Sequence, residues 1–123
     1  ILDINFNEKY FERVIHHELF HIIQNNFKSI FDEKIWSNFN DKAFEYAECS
    51  TCSDRLGLDL YDKTNGFLTE YSKSIASEDM AEVFSFIMTD KLKIKNIVNK
   101  DSILSNKIEF IKNGIIKIEN FNL

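Results

Sequence analysis

A long helix near the start of the chain is the strongest constraint on the fold. Over residues 8–27 no glycine or proline interrupts the sequence, and apolar side chains recur every three or four positions. Recurrence at that spacing marks one face of a helix. The apolar stripe consists of Phe11, Ile15, Leu19, Ile22 and Ile23. We therefore expect a helix that is mostly buried.

Two further segments have helical spacing. One is predicted to begin at Ser77, whose hydroxyl can cap the first turn, with Glu78 and Asp79 near the positive end of the helix dipole. Its predicted core stripe is Met80, Val83, Phe84, Ile87 and Met88. The other segment, residues 101–118, has a stripe of Ile103, Leu104, Ile108, Ile111, Ile115 and Ile118. The complete absence of proline favours this mainly helical interpretation.

Outside the helices the patterns are weaker. Residues 1–6 alternate with period two, which predicts a short half-buried strand at a sheet edge. Between residues 28 and 65 we expect short helical turns and an ordered loop. The pair Asn65-Gly66 is a turn signal, and Gly66 is expected to have a positive φ.

Length and composition limit the class of protein. A chain of 123 residues with 44% hydrophobic content has the size of one domain and enough apolar side chains for a core. Its 20 acidic and 15 basic residues leave a net charge of -5 and the lysines are dispersed, so nucleic acid is a poor partner. No apolar run approaches the roughly 20 residues that cross a bilayer, so no membrane-spanning segment is expected. The chain begins at Ile1, so an export signal would be out of sight and the compartment stays open.

Cys49 and Cys52 are the only cysteines of the chain. A zinc clasp would need a second cysteine or histidine pair, and all three histidines lie on one segment. A redox motif would open a helix after a strand, and the flanking residues have neither pattern. We therefore expect two small loop residues, with a local disulfide as the alternative.

Residues 17–21 have the pattern HExxH in the middle of the first predicted helix. Side chains four residues apart lie one turn above each other, so His17 and His21 can reach one zinc ion. Glu18, one step round the helix, faces the water on the open side of the metal. His16 points about a hundred degrees away from His17 and is left out of the site.

The alternative is that these side chains decorate a solvated helix face, because a five-residue pattern with two free positions also arises by chance. The apolar flanking pairs, residues 14–15 and 22–23, argue against this by predicting that the helix is mostly buried. Two buried imidazoles one turn apart, with a carboxylate between them, are more easily explained by a metal than by unrelated hydrogen bonds.

A catalytic zinc of this type needs a third protein ligand, and no further histidine exists. The candidates downstream are Glu70, Glu78, Asp79 and Glu82. Glu78 and Glu82 are four residues apart, so they share one face of the second predicted helix. One of them can bind zinc while the other accepts the outer N–H of a zinc-bound histidine. An acidic first turn that only complements the helix dipole is the competing interpretation.

Two stretches, residues 14–21 and 71–84, resemble the gluzincin peptidases related to anthrax toxin lethal factor. In that family a tyrosine stands seven residues before a zinc-binding glutamate, and Ala-Glu-x-Phe follows. Tyr71 and Glu78 keep that interval, and residues 81–84 complete the pattern. The segment 36–46 and the pair at 66–67 are similar, more loosely, to zinc-binding metallopeptidases of bacterial surface lipoproteins.

The resemblance implies a mainly α, zincin-like α+β fold. In such a fold the metal-binding helix packs on a glutamate-bearing helix, followed here by a C-terminal helix, with at most a small remnant sheet at the N-terminus. The implied ligands of one Zn2+ ion are His17, His21 and Glu78. By the same resemblance Glu18 is the general base, Tyr71 donates to the oxyanion, and Glu82 supports a histidine.

Two features depart from the family pattern. Phe20 occupies a position that is commonly glycine, so its side chain either crowds the site or fills a gap in a smaller core. The chain also has less structure upstream of the metal-binding helix than other members, in which the edge strand of a sheet aligns the substrate. Substrate binding is therefore expected to be weak if residues 1–6 are all that remains of that sheet.

The function predicted from the sequence is that of a zinc-dependent endopeptidase acting on a peptide or protein substrate. An inactive zinc-binding domain used for protein binding or regulation is the alternative hypothesis. A helical interaction module without metal is the third.

Overall fold

The computed structural model describes residues 8–51 and 65–121. Within these residues the chain forms five α-helices, one 3-10 turn and no β-strand. The helices are α1 (Glu8–Asn26), α2 (Glu33–Ser37), α3 (Ala76–Thr89), α4 (Lys91–Val98) and α5 (Ser102–Phe121). The 3-10 turn, Tyr71–Lys73, directly precedes α3. The prediction of a mainly helical fold is confirmed, and the strand predicted at residues 1–6 lies outside the described residues.

Helix α3 is the centre of the structure. Ten of its 14 residues are buried, and α1, α2, α4 and α5 all pack against it. A helix that is buried on nearly all sides needs neighbours on nearly all sides. The contact with α1 is the most extensive, so the histidine-bearing helix packs on the glutamate-bearing helix as predicted.

The face that α1 turns to the core is not the predicted apolar stripe. Four members of that stripe are largely exposed: Phe11 (49%), Ile15 (49%), Leu19 (41%) and Ile22 (62%). The buried residues are instead His17, Phe20 and Gln24. Burial of this second face is favoured because its histidines meet the carboxylates on α3 and Phe20 packs against other aromatic rings. Apolar spacing alone could not reveal either set of partners.

Phe20 fills the core beside the site. Its side chain is fully buried, and its ring centroid lies 5.0 Å from that of Phe31 and 5.1 Å from that of Phe84. Of the two consequences considered for a large residue at this position, the structure shows the filling of a small core.

Helix α3 begins earlier than predicted and without the predicted cap. Its first residue is Ala76, and the N-cap position is Ile75, which makes no side-chain capping bond. Ser77 therefore lies inside the first turn, so its predicted capping role is wrong. The predicted core stripe is buried at Met80, Val83 and Phe84, but Met88 is 48% exposed.

Aspartates begin the other helices downstream of α1. Asp32 accepts hydrogen bonds from the backbone N–H groups of Lys34 and Ile35 at the start of α2. Asp90 ends α3 and caps α4, a helix that the sequence pattern did not predict. Asp101 accepts from the N–H of Leu104, so α5 starts within one residue of its predicted start. These bonds satisfy N–H groups that have no partner within their own helix.

The two glycines of the described core have different reasons to be glycine. Gly66 has a φ of 100°, so its predicted positive φ is confirmed. Gly114 on α5 lies against Phe31, and an added Cβ would come within 2.3 Å of that ring. Gly114 therefore permits a close approach rather than an unusual backbone conformation.

Cys49 is disulfide-bonded, and Cys52 is the only other cysteine of the chain. The expectation of two unpaired loop cysteines is therefore wrong, and the alternative of a local disulfide is the one supported. Residue 52 itself lies outside the described residues. Among the helices of the described part, none is long and apolar enough to cross a membrane.

Candidate metal centre

Helix α1 brings two imidazoles together. The Nε2 atoms of His17 and His21 lie 3.2 Å apart, with the ring planes nearly perpendicular. The His17 side chain is buried and that of His21 is about one third exposed. Positions four apart on a helix face the same way, so this pairing follows directly from the spacing in the sequence.

Helix α3 brings two carboxylates to the same imidazoles. Oε1 of Glu78 lies 2.5 Å from Nε2 of His21, and Oε2 lies 3.5 Å from Nε2 of His17. Glu82, one turn further along, accepts a hydrogen bond of 2.9 Å from the other ring nitrogen of His17, Nδ1. The two glutamates therefore contact opposite sides of one imidazole. Glu78 faces the space between the two histidines, and Glu82 lies on the other side of the His17 ring.

These contacts shift the pKa values of the groups involved. Burial lowers the pKa of His17, but hydrogen bonds and charge from Glu78 and Glu82 outweigh it and raise the pKa to about 9. Burial raises the pKa of Glu78, but hydrogen bonds to His17, His21 and Tyr71 hold it well below its usual range. The site therefore strongly favours the pairing of a cation with the Glu78 carboxylate.

The arrangement fits a tetrahedral metal ion. Two ligand atoms at zinc's bond lengths, on tetrahedral directions, are separated by ~3.4 Å. The histidine nitrogens and the Glu78 oxygens lie 2.5 to 3.5 Å from one another. When His17 is neutral with its Nδ1 proton donated to Glu82, the Nε2 lone pair points at the site. Two imidazole nitrogens and a carboxylate oxygen are donor atoms that zinc binds in proteins.

Glu18 lies at the edge of this cluster. One ligand atom each from His17, Glu18 and His21 lies within 4.8 Å of the others. Glu18 is exposed, unlike Glu78, and it lines a small cavity of about 120 Å3 beside the site. The cavity is also lined by Arg13, Val14, His17, Tyr71, Glu78 and Glu82. Glu18 therefore combines exposure to solvent with a position beside the two imidazoles.

Tyr71 reaches the site from the 3-10 turn. Its ring centroid lies 6.0 Å from that of His17, and its hydroxyl interacts with the side chains of Glu78 and Ser50. Burial and the Glu78 carboxylate raise the pKa of Tyr71 above its usual value. The hydroxyl therefore keeps its proton at neutral pH and can act as a donor.

Thr69 is a member of the site that the sequence did not reveal. Its hydroxyl is fully buried and donates a 2.7 Å hydrogen bond to Oε1 of Glu82. The same oxygen of Thr69 contacts the Ser72 hydroxyl and accepts from the Ser72 backbone N–H. A continuous chain thus runs from Thr69 through Glu82 to His17. Nothing in the local sequence distinguishes Thr69 from an ordinary loop threonine.

The remaining candidates lie elsewhere. Asp79 turns away from the histidines and accepts hydrogen bonds from Trp36, Tyr46 and Lys107. Glu70 precedes the 3-10 turn at its N-cap position. His16, left out of the site on its direction, lies with its ring 6.2 Å from that of Phe84.

A family model described as "Putative zinc-binding metallo-peptidase" matches residues 2–119, which is nearly the whole chain. No curated protein and no solved structure matches this chain.

Proposed function

The chain belongs to this family of zinc-binding metallo-peptidases, and we propose that it is a zinc-dependent endopeptidase with one metal ion held by His17, His21 and Glu78. One observation carries the proposal. The Nε2 atoms of both histidines and the Glu78 carboxylate converge within 2.5 to 3.5 Å of one another, although they come from two different helices. Such convergence of three donors supports a shared ligand rather than separate pairings.

A gluzincin arrangement is the form of the site that we propose, with Glu78 as the third ligand. Its carboxylate contacts the Nε2 atoms of both histidines. Of the ring nitrogens of His17 and His21, Glu82 contacts Nδ1 of His17, on the far side of the ring from the site. The relation to lethal factor rests on the interval between Tyr71 and Glu78 and on residues 81–84.

The bound zinc ion would lower the pKa of a water molecule to ~7 and polarise the peptide carbonyl. Glu18 is placed to accept a proton from an attacking water molecule as the oxygen of that molecule bonds to the carbonyl carbon. Tyr71 donates a hydrogen bond to the carbonyl oxygen as negative charge develops on it. Glu18 then passes the proton to the amine nitrogen as the C–N bond breaks. The products are a carboxylic acid and an amine, which exchange a proton at neutral pH to give a carboxylate and an ammonium ion.

Glu82 and Thr69 have supporting roles in this scheme. Glu82 holds the Nδ1 proton of His17 and so fixes the tautomer whose Nε2 can bind the metal. Thr69 donates to the second oxygen of Glu82 and so fixes the carboxylate plane. Neither residue needs to touch the substrate.

The test combines metal analysis with a peptide-library screen on the purified chain. We expect about one zinc per chain and metal-dependent cleavage, both lost in a His17→Ala/His21→Ala variant. Zinc binding without turnover of any peptide would favour the inactive zinc-binding domain instead. Full retention of zinc by the double variant would contradict the proposed ligands.

A further inference from the structure

Lys107 on α5 is a lysine whose side chain is completely buried. Its ammonium donates two hydrogen bonds of 2.7 Å, one to Oδ2 of Asp79 and one to the backbone carbonyl of Gly66. The ammonium also lies 4.1 Å from the centre of the Phe67 ring. A buried charge is costly unless it is paired and hydrogen-bonded. The two acceptors of the Lys107 ammonium are therefore held at fixed positions relative to it.

The first of these bonds leads to Glu78. Asp79 is the next residue on α3, and its fully buried carboxylate also accepts from Nε1 of Trp36 at 3.0 Å and from the Tyr46 hydroxyl at 2.6 Å. The first turn of α3 has no side-chain cap, because Ile75 occupies the N-cap position. The Asp79 contacts therefore hold in place the turn from which Glu78 reaches the histidines.

The second bond leads to Glu82. Gly66 is fixed at its carbonyl by Lys107 and at its N–H by Oδ2 of Asp101, at 2.8 Å. Three residues later Thr69 donates to Oε1 of Glu82, whose other oxygen accepts from Nδ1 of His17. The Thr69 hydroxyl therefore links the position of the Gly66 turn to the orientation of the Glu82 carboxylate at the metal centre.

We propose that Lys107 is a positioning residue of the metal centre, whose ammonium fixes at one point the two segments that orient Glu78 and Glu82. The two routes leave Lys107 in different directions and meet again at His17. The inference deepens the proposed function and rests on it where it speaks of a metal. A residue that served only the core would affect the stability of the fold and leave the site geometry unchanged.

The test measures zinc affinity and fold stability separately. The variants are Lys107→Met and Lys107→Met/Asp79→Asn, the second of which leaves no unpaired carboxylate in the core. The matched control is Ile111→Ala, which removes a buried side chain from the same helix. Zinc dissociation constants are measured with a competing chelator at a temperature at which circular dichroism shows each variant folded.

We expect both Lys107 variants to weaken zinc binding by ~10-fold or more, the usual effect of losing an orienting contact. Ile111→Ala should lower the melting temperature and keep the wild-type dissociation constant. A folded double variant with wild-type zinc affinity would overturn the proposal. Should the Lys107 variants fail to fold, Thr69→Val breaks the link from the Gly66 turn to Glu82 while Lys107 keeps both of its bonds, and wild-type zinc affinity in that variant would overturn the proposal equally.

A zinc-independent measurement separates this inference from the proposed function. In the zinc-free protein, the imidazole Nδ1–H of His17 that Glu82 holds should give a solvent-protected signal in 15N-edited NMR spectra. We expect the signal to disappear in the Lys107 variants and to persist in Ile111→Ala. Its disappearance in a chain that binds no zinc would support the positioning role and contradict the proposed enzyme. Its persistence in the Lys107 variants would contradict the positioning role.

Discussion

Glu82 accepts a hydrogen bond from Nδ1 of His17 at 2.9 Å, on the side of the ring away from His21. Glu78, one turn earlier on α3, faces Nε2 of the same ring. Two carboxylates on one helix face therefore contact one imidazole in two different ways. This difference between the two contacts separates the roles that we propose for the two glutamates.

Alanine variants of the two glutamates should differ in kind. Glu78→Ala removes a carboxylate that contacts the Nε2 atoms of both histidines, so it should lose most of the zinc and all hydrolysis. Glu82→Ala should keep the metal with an affinity weakened by ~10 to 100-fold. Titration with a competing chelator makes the comparison. Loss of zinc from Glu82→Ala with retention in Glu78→Ala would exchange the two roles.

Glu18→Gln should separate metal binding from catalysis. Glu18 is exposed and lines the cavity, while the core of the site is formed by other side chains. We expect zinc content and melting temperature near the wild-type values, and turnover reduced by roughly 100 to 10,000-fold, because a positioned base is lost. Peptide cleavage at matched zinc occupancy is the measurement. Wild-type turnover in this variant would require another base.

The stability of the zinc-free protein should fall as pH rises above neutrality. The pKa of His17 is raised from 6.5 to about 9, so between these values the folded state binds more protons than the unfolded state. The stabilisation is fully present below pH 6.5 and is lost as pH rises through 9. For one proton the slope is at most about 1.4 kcal/mol per pH unit.

Urea unfolding from pH 6 to 9.5, for the wild type and for His17→Gln, tests whether the stability contributed by His17 falls with pH. The difference between the two free energies of unfolding should shrink with pH, because other titrating groups cancel in the comparison. Zinc affinity should have the opposite trend, since the metal requires the neutral imidazole. A difference that grows with pH would show that His17 is neutral in the zinc-free protein.

Gly114→Ala should destabilise the fold without touching the site. The added methyl group would meet Cε1 and Cζ of Phe31 at 2.3 and 2.6 Å, and Phe31 is itself packed between Phe20 and Phe110. Overpacking typically costs 1–3 kcal/mol, and the better helix propensity of alanine returns about 1 kcal/mol at most. A net loss on the order of 1 kcal/mol is expected from thermal unfolding.

The neighbouring exposed residue provides the control for that experiment. Asn113→Ala changes the same helix without meeting Phe31, so it should be neutral or slightly stabilising. A Gly114→Ala/Phe31→Leu variant should recover part of the lost stability by removing the ring that clashes. Equal stability of the two single alanine variants would show that the Phe31 ring moves aside without cost.

Local patterns predicted α1, the pairing of His17 with His21, and the start of α5 at Asp101. Each depends only on residues within one or two turns of a helix. The inward face of α1 was predicted wrongly, because its burial depends on Glu78 and Glu82 more than 50 residues away. Short helices such as α4 offered too few turns for a periodic signal.

The contacts of Thr69 and Lys107 had no sequence signal of their own. A threonine in a loop and a lysine on an amphipathic helix are both ordinary surface residues until the tertiary structure buries them. Lys107 lies within a helix that was predicted correctly, yet its burial reflects an acceptor on α3 and another in the turn at Gly66. Such long-range partners are specified by packing rather than by spacing.

The outward side of α1 has a consequence for the protein as a solute. Ile15, Leu19 and Ile22 expose 49, 41 and 62% of their surface on the helix that presents the histidines inward. At high protein concentration this exposed apolar surface should dominate the attraction between molecules and so limit the solubility. The substitution Ile22→Lys would weaken that attraction and leave the inward side of the helix unchanged. Light scattering on concentrated samples would detect the change as a shift towards repulsion.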